Sequence, residues 1–211
     1  MKALYEARWI LGILIVCWLG TVLLFPLLSF FVTLMLIFTL YFFRDPNRVP
    51  PPDPTLAVAA ADGVVVDVVE LDETEYLHRR VKRVGIFLSV FDVHINRSPI
   101  AGEIEHSVGK TGRFLDARNP ASSQLNARRT WVISGPLGTV IVRQITGAIA
   151  RRICPWKQVG DQLEKGQKFG MIRFGSRTEV DFPMEAEILV KIGDRVRGGE
   201  TPLARLQPTV S

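Results

Sequence analysis

The chain has 211 residues, with 26 Lys+Arg against 21 Asp+Glu, a net charge of +5 and 47% hydrophobic residues. Between Trp9 and Phe43 there is no Asp, Glu, Lys, Arg or His. That run excludes an ordinary soluble protein, a disordered chain and a secreted disulfide scaffold. The mild positive excess of the remainder suits an anionic membrane surface better than nucleic acid.

The apolar run is the first element. As one helix it would reach about 50 Å, well beyond a hydrocarbon core of about 30 Å. Pro26 divides it into 9–25 and 27–43, which predicts a tight helical hairpin or one kinked helix. It ends on the polar stop Arg44-Asp45-Pro46 without a small-residue cleavage site, so a signal peptide is not expected. Lys2 and Arg8 flank one end, Arg44 and Arg48 the other. The positive-inside rule then places both ends of a hairpin, and the domain that follows, on the cytoplasmic side of the cell (inner) membrane. The expected organisation is a membrane-anchoring helical segment over 1–48, a linker over 49–55 and one compact domain over 56–211. The linker, Val49-Pro50-Pro51-Pro52-Asp53-Pro54, is stiff and extended.

Past the linker, short β-branched runs alternate with glycine. Residues 63–69, 84–90, 130–133 and 139–142 read as strands, and the polar stretch 112–129 as a long loop. The class is mostly β, a single β-sandwich or barrel-like domain. Val159-Gly160-Asp161-Gln162-Leu163-Glu164-Lys165-Gly166 echoes Ile192-Gly193-Asp194-Arg195-Val196-Arg197-Gly198-Gly199. These resemble the hairpin turns of lipoyl carrier domains, but no Met-Lys pair sits at a tip, so the echo reads as architecture.

Several lookalikes fail. Gly109-Lys110-Thr111 ends like a phosphate-binding loop, but the required glycine is replaced by Ile104. His78, His94 and His106 lack zinc-site spacing, and no metal is expected. Arg79-Arg80-Val81-Lys82-Arg83 has no aromatic ladder, so it reads as a basic turn, not a nucleic-acid patch. Cys17 lies in the apolar run and Cys154 far outside it, which reads as two separate thiols in a reducing compartment.

Three places remain: Ala61-Asp62-Gly63, Phe91-Asp92-Val93-His94-Ile95-Asn96-Arg97-Ser98-Pro99, and Phe174-Gly175-Ser176-Arg177-Thr178-Glu179-Val180. Taken singly, Asp62 is a turn former, His94 a core imidazole and Gly175-Ser176 a bend. Together, with the hydrophobic N-terminus and the Arg44-Asp45-Pro46 exit, they resemble the phosphatidylserine decarboxylase proenzymes of the short bacterial kind. Asn119 and Leu125-Asn126-Ala127-Arg128-Arg129 resemble the middle of that family less specifically. One departure is Arg97, where longer members carry a second histidine.

The resemblance implies self-cleavage at Gly175-Ser176 into a β chain of 1–175 and an α chain of 176–211. Ser176 would be the nucleophile, His94 the base and Asp62 the orienting carboxylate, since a serine hydroxyl needs a base and imidazole needs a fixed tautomer. Ser176 would end as a covalent pyruvoyl group, the only cofactor, with neither pyridoxal phosphate nor metal. The implied substrate is phosphatidylserine and the implied product phosphatidylethanolamine, made at a membrane; whether the chain forms a homo-oligomer stays open. A membrane-anchored serine hydrolase using the same three residues, or a noncatalytic membrane adaptor with lipoyl-like hairpins, are the alternatives.

Overall fold

The computed structural model describes residues 2–23, 25–119, 121–148, 152–173 and 176–207. They form two compact units, Met1–Asn47 and Arg48–Ser211.

The first unit is a pair of apolar helices, α1 (Lys2–Thr21) and α2 (Pro26–Phe42). Proline at the first helical position costs no hydrogen bond, because that N–H has no intrahelical acceptor. The break therefore falls just before Pro26, and α1 begins seven residues earlier than the charge-free run. Trp18 Nε1 donates to Thr33 Oγ1 at 3.0 Å. Those residues are nearly equidistant from the break, so the helices fold back on each other as a hairpin. The hydroxyls of Thr21, Ser29 and Thr39 donate to carbonyls of their own helices, at 2.9, 2.8 and 2.7 Å, which keeps them satisfied on an apolar surface. By length and apolarity α1 could cross a membrane, while α2 has 17 residues.

The second unit is mostly β, as its sequence predicts. It contains β1 (Leu56–Val58), β2 (Gly63–Glu73), β3 (Arg79–Leu88), β4 (Ile95–Arg97), β5 (Gly102–Lys110), the single-turn α3 (Ser122–Leu125), β6 (Arg128–Gly135) and β7 (Gly138–Ile145). Then follow β8 (Arg152–Pro155), β9 (Gln162–Leu163), β10 (Lys168–Arg173), β11 (Ser176–Pro183), β12 (Glu187–Ile188), β13 (Arg195–Val196) and β14 (Pro202–Arg205). Among the described residues, one eight-stranded sheet runs β13-β2-β3-β11-β7-β6-β5-β9 and curls into a half-barrel. Two three-stranded sheets, β1-β14-β12 and β4-β10-β8, accompany it, and every strand pairing is antiparallel.

All eight residues of β11 are buried. Because side chains alternate across a strand, Val180 and Phe182 enter the apolar core with Ile86, Leu88, Trp131 and Phe169. Arg177, Glu179 and Asp181 fall on the other face. Arg83 bonds Asp181 at 2.6 Å and approaches Glu179 at 3.2 Å, and Arg143 joins Asp181 to Glu73, the latter at 2.9 Å. Arg177 pairs with Glu179 at 2.8 Å and with Asp67. A Cβ on Gly85 would lie 2.5 Å from Asp67 Oδ1 and 2.7 Å from Arg177 Nη2, so this glycine makes room for that pair. The basic cluster 79–83 is thus strand β3, not a turn. The reason is that Arg83 is drawn into carboxylates about 100 residues away, while Arg80 reaches Glu70 across the hairpin at 3.3 Å.

The sequence echo is structural. Gly160, Gly166, Gly193 and Gly199 all have φ between 77° and 96°, a region that favours glycine. The Asp161 carboxylate accepts the Gln158 N–H at 3.0 Å, and Asp194 accepts that of Lys191 at 2.9 Å. The first copy leads into β9 on one edge of the large sheet, and the second into β13 on the opposite edge.

Glu73 closes the β2–β3 hairpin. Burial pushes its carboxyl up, but the N–H groups of Leu77, Tyr76 and Glu75 and the Arg143 guanidinium outweigh burial and hold it below the usual value. A depressed carboxyl contributes stability that is present above its unfolded pKa and is lost as pH falls through its folded one. Glu73→Gln is expected to cost about 1–3 kcal/mol at pH 7. In denaturant titrations at a series of pH values, the gap from the unmodified protein should close below about pH 4.

Candidate active site

Register places the candidate nucleophile. Ser176 opens β11 opposite Leu88, the last residue of β3. The side chain is fully buried, and Oγ has no hydrogen-bond partner. A buried hydroxyl without a partner is costly and uncommon, and such groups are often reactive. The preceding Gly175, the other half of the expected cleavage site, lies outside the described residues.

His94 reaches the same region by a separate route. After β3 the chain turns through 89–92, with Asp92 N–H donating to the Ser89 carbonyl at 3.0 Å. The Asp92 carboxylate latches this turn by accepting the Ser89 N–H at 2.9 Å, the Ser89 hydroxyl at 2.8 Å and Arg195 Nη2 at 2.7 Å. His94 is fully buried, and its Nδ1 lies 2.9 Å from the Asp92 carbonyl oxygen. A carbonyl only accepts, so Nδ1 carries a proton. On the backbone, Ile172 N–H donates to the His94 carbonyl at 3.1 Å, four residues before Ser176. Strand pairing thus brings the histidine and serine segments to one end of the sheet.

The chain just before Asp62 meets the segment that follows His94. The Ala60 carbonyl accepts Arg97 N–H at 2.9 Å and Asn96 Nδ2 at 3.3 Å. The Asp62 carboxylate accepts Arg48 Nη2 and the Gly198 N–H, each at 2.8 Å. Arg48 also bonds Glu200 at 2.8 Å, and this bond is the main cause that holds the Glu200 carboxyl below its usual value.

Arg97 is buried, with Nη1 donating to the Gly166 carbonyl at 3.1 Å and Cδ lying 2.7 Å from where a Cβ on Gly199 would sit. It ties together the two echoed turns. Guanidinium stays protonated, so Arg97 cannot act as the base that a histidine there could be.

Sequence reasoning missed the supports of this site. Asn96, between His94 and Arg97, donates to Thr178 Oγ1 at 3.1 Å and accepts Gln144 Nε2 at 2.7 Å. Trp131 Nε1 donates to Gln144 Oε1 at 2.7 Å, which completes a buried polar chain across β6, β7, β4 and β11. A stretch of β-branched neighbours gives no sign of such a chain. Only Asn96, inside the quoted motif, was available as a signal.

The site region is thus a curled antiparallel sheet with a buried serine at the head of a central strand and a histidine with one nitrogen fixed. The sequence profile of the phosphatidylserine decarboxylase family matches residues 35–204. The chain belongs to that family. It is 44% identical over 199 residues to a phosphatidylserine decarboxylase proenzyme of Carboxydothermus hydrogenoformans, covering 94% of this chain and 89% of the relative. It is 46% identical over 171 residues to the proenzyme of Symbiobacterium thermophilum (81% and 80% covered) and 48% over 173 residues to that of Gluconobacter oxydans (80% and 77% covered). The serine hydrolase and adaptor alternatives are not favoured by this membership.

Asn96→Ala should strand Thr178, Gln144 and the Ala60 carbonyl together. The expected loss is about 1–3 kcal/mol of stability, together with slower maturation, read as a lower Tm and a persistent full-length band. Unchanged stability would show that the polar chain does not support the site.

Proposed function

We infer that the protein is a proenzyme that decarboxylates phosphatidylserine to phosphatidylethanolamine and CO2, through a pyruvoyl group made from its own Ser176. Family membership along most of the chain carries the reaction. The unpartnered Oγ of Ser176 supports the self-processing step, since among the described residues no hydrogen bond competes for it.

In this reading His94 is the base. Nδ1 is held by the Asp92 carbonyl, so Nε2 is the nitrogen assigned to take the hydroxyl proton once Oγ, which makes no hydrogen bond in the resting proenzyme, comes within reach. Asp62 is the carboxylate assigned to stabilise the resulting imidazolium, its own position set by Arg48 and the Gly198 amide. Ser176 Oγ attacks the Gly175 carbonyl carbon, and the peptide C–N bond breaks as an ester forms. Elimination then passes the Cα proton of residue 176 to a base and breaks the Cβ–Oγ bond, leaving the oxygen in a new Gly175 carboxylate. One water hydrolyses the remaining enamine, so ammonia departs and residue 176 ends in a ketone. That ketone supplies the electron sink for loss of CO2 from the headgroup amine it captures. His94 is the group assigned to return a proton to the headgroup carbon. The α1–α2 hairpin is assigned as the membrane anchor, with the catalytic domain over 56–211 on the cytoplasmic face of the cell membrane.

Intact-mass measurement of the purified protein tests the chemistry. Two chains are expected, and the 36-residue α chain should weigh less than its serine form by one nitrogen and three hydrogens. It should resist Edman degradation and react with hydroxylamine. Ser176→Ala should stay full length; a free serine amine on an active α chain would rule the pyruvoyl mechanism out.

The anchor has its own test. Membranes washed with high salt should retain the full-length chain, because salt removes only electrostatically held proteins. Recovery in the salt-wash supernatant would refute the integral anchor.

A further inference from the structure

One row of paired residues crosses the large sheet at the end that carries the site: Lys110, Arg128, Ile145, Arg177, Phe87, Val64 and Arg195. Ser176 lies one residue beyond this row. Among the segments that leave the sheet here are the turn 89–94, the loop 111–127, residues 146–148 after β7, and the chain before β2 and after β13. The loop is fixed at this end: Arg113 bridges Asn126, whose Nδ2 donates to the Thr146 carbonyl at 2.8 Å, and Arg118 lies 6.0 Å from the Phe87 ring.

These segments expose what a soluble rim avoids. Phe91, at the tip of the turn that delivers His94, is 64% exposed, and Phe114 in the loop is 41% exposed. Arg113, Arg118 and Arg195, on or beside these segments, are exposed as well. Against these three cations stand Asp116, bonded to Arg118 at 2.7 Å, and the buried Asp92, bonded to Arg195 at 2.7 Å. The rim keeps a net positive charge. Apolar rings within a cationic border match the boundary between acyl chains and anionic headgroups.

We propose that this end of the sheet is the surface by which the catalytic unit docks on the lipid bilayer. Phe91 and Phe114 enter the headgroup layer, and Arg113, Arg118 and Arg195 meet lipid phosphates. The proposal rests on the reading that the substrate is a bilayer phospholipid, and it explains how a headgroup reaches a serine that is fully buried. Docking brings the lipid to the sheet end where Ser176 and His94 already lie, and the turn bearing Phe91 is the one latched by Asp92 beside His94.

The test compares two forms of one substrate with the full-length, processed enzyme. Long-chain phosphatidylserine is presented in mixed micelles at varied surface fraction, and short-chain phosphatidylserine as water-soluble monomers. Phe91→Ser, and separately Phe114→Ser, should raise the interfacial KM about tenfold. Activity on the monomeric substrate and self-processing should stay within about twofold of the unmodified enzyme. Arg113→Glu with Arg118→Glu should show the same split, and high salt should bring the unmodified enzyme toward the variant. Equal losses on both substrates, or no loss on either, would overturn the docking surface. If the unmodified enzyme fails on both forms, the substrate reading itself falls, and the docking proposal with it.

Discussion

Strand β11 has to be buried on both faces, and most of the catalytic unit follows from that requirement. Its neighbours β3 and β7 pair with it along nearly its whole length. One face finds an ordinary apolar core. The other carries Arg177, Glu179 and Asp181, which would be ruinous inside a protein if left alone, since a single unpaired buried charge costs several kcal/mol. Arg83, Arg143, Asp67 and Glu73 answer them from three other strands. A network of this sort adds little net stability over an apolar core. It does fix register, because a slip of one residue would place every charge of β11 in the apolar layer and every apolar side chain among the charges. Register is what sets Ser176 opposite Leu88, at the end of the sheet beside the His94 turn.

The same economy governs the edges. A half-barrel has two open edges, each a liability. Here each is covered by one copy of the echoed turn, β9 beside β5 and β13 beside β2. The second copy also reaches the site, for its Arg195 latches Asp92 and its Gly198 amide holds Asp62. The first copy is linked to the second through Arg97 and the glycines at 166 and 199. Arg97 thus makes its position a structural tie between the two turns.

The mostly β class, the four strand cores, the apolar hairpin and the repeated turn were legible from sequence because each depends on local pattern: alternation, glycine placement or a long run without charge. The family was legible too, through the motifs around Asp62, His94 and Ser176, and the roles of those three residues are proposed from it. The rest was not legible, for a physical reason. The cluster at 79–83 looked like a solvated turn because the carboxylates that draw Arg83 inward lie about 100 residues away. The partner of His94 Nδ1 is a backbone carbonyl, which any residue can supply and no residue type announces. Arg48 read as a membrane-flanking charge, yet its guanidinium is committed to Asp62 and Glu200. Helix α1 begins at Lys2 because a helix is limited by its hydrogen bonds, not by the absence of charge.

The position of the proposed cut gains meaning from these constraints. A break before residue 176 would give the α chain the central strand β11, the edge strand β13 and β14, which pairs with β1. The β chain would keep β3 and β7 on either side of β11, β2 beside β13, and β1 on one side of β14, whose other neighbour β12 would go with the α chain. Neither piece could leave without exposing the two faces of β11, so cleavage would sever a bond and leave the fold in place. A loop cut elsewhere would free its new terminus to fray, since chain ends are ordered only when something holds them. A cut at the first residue of a strand paired on both sides leaves the new terminal group almost no freedom. A ketone generated there would be held in the register that Ser176 occupied, beside the histidine that the Asp92 turn has already fixed.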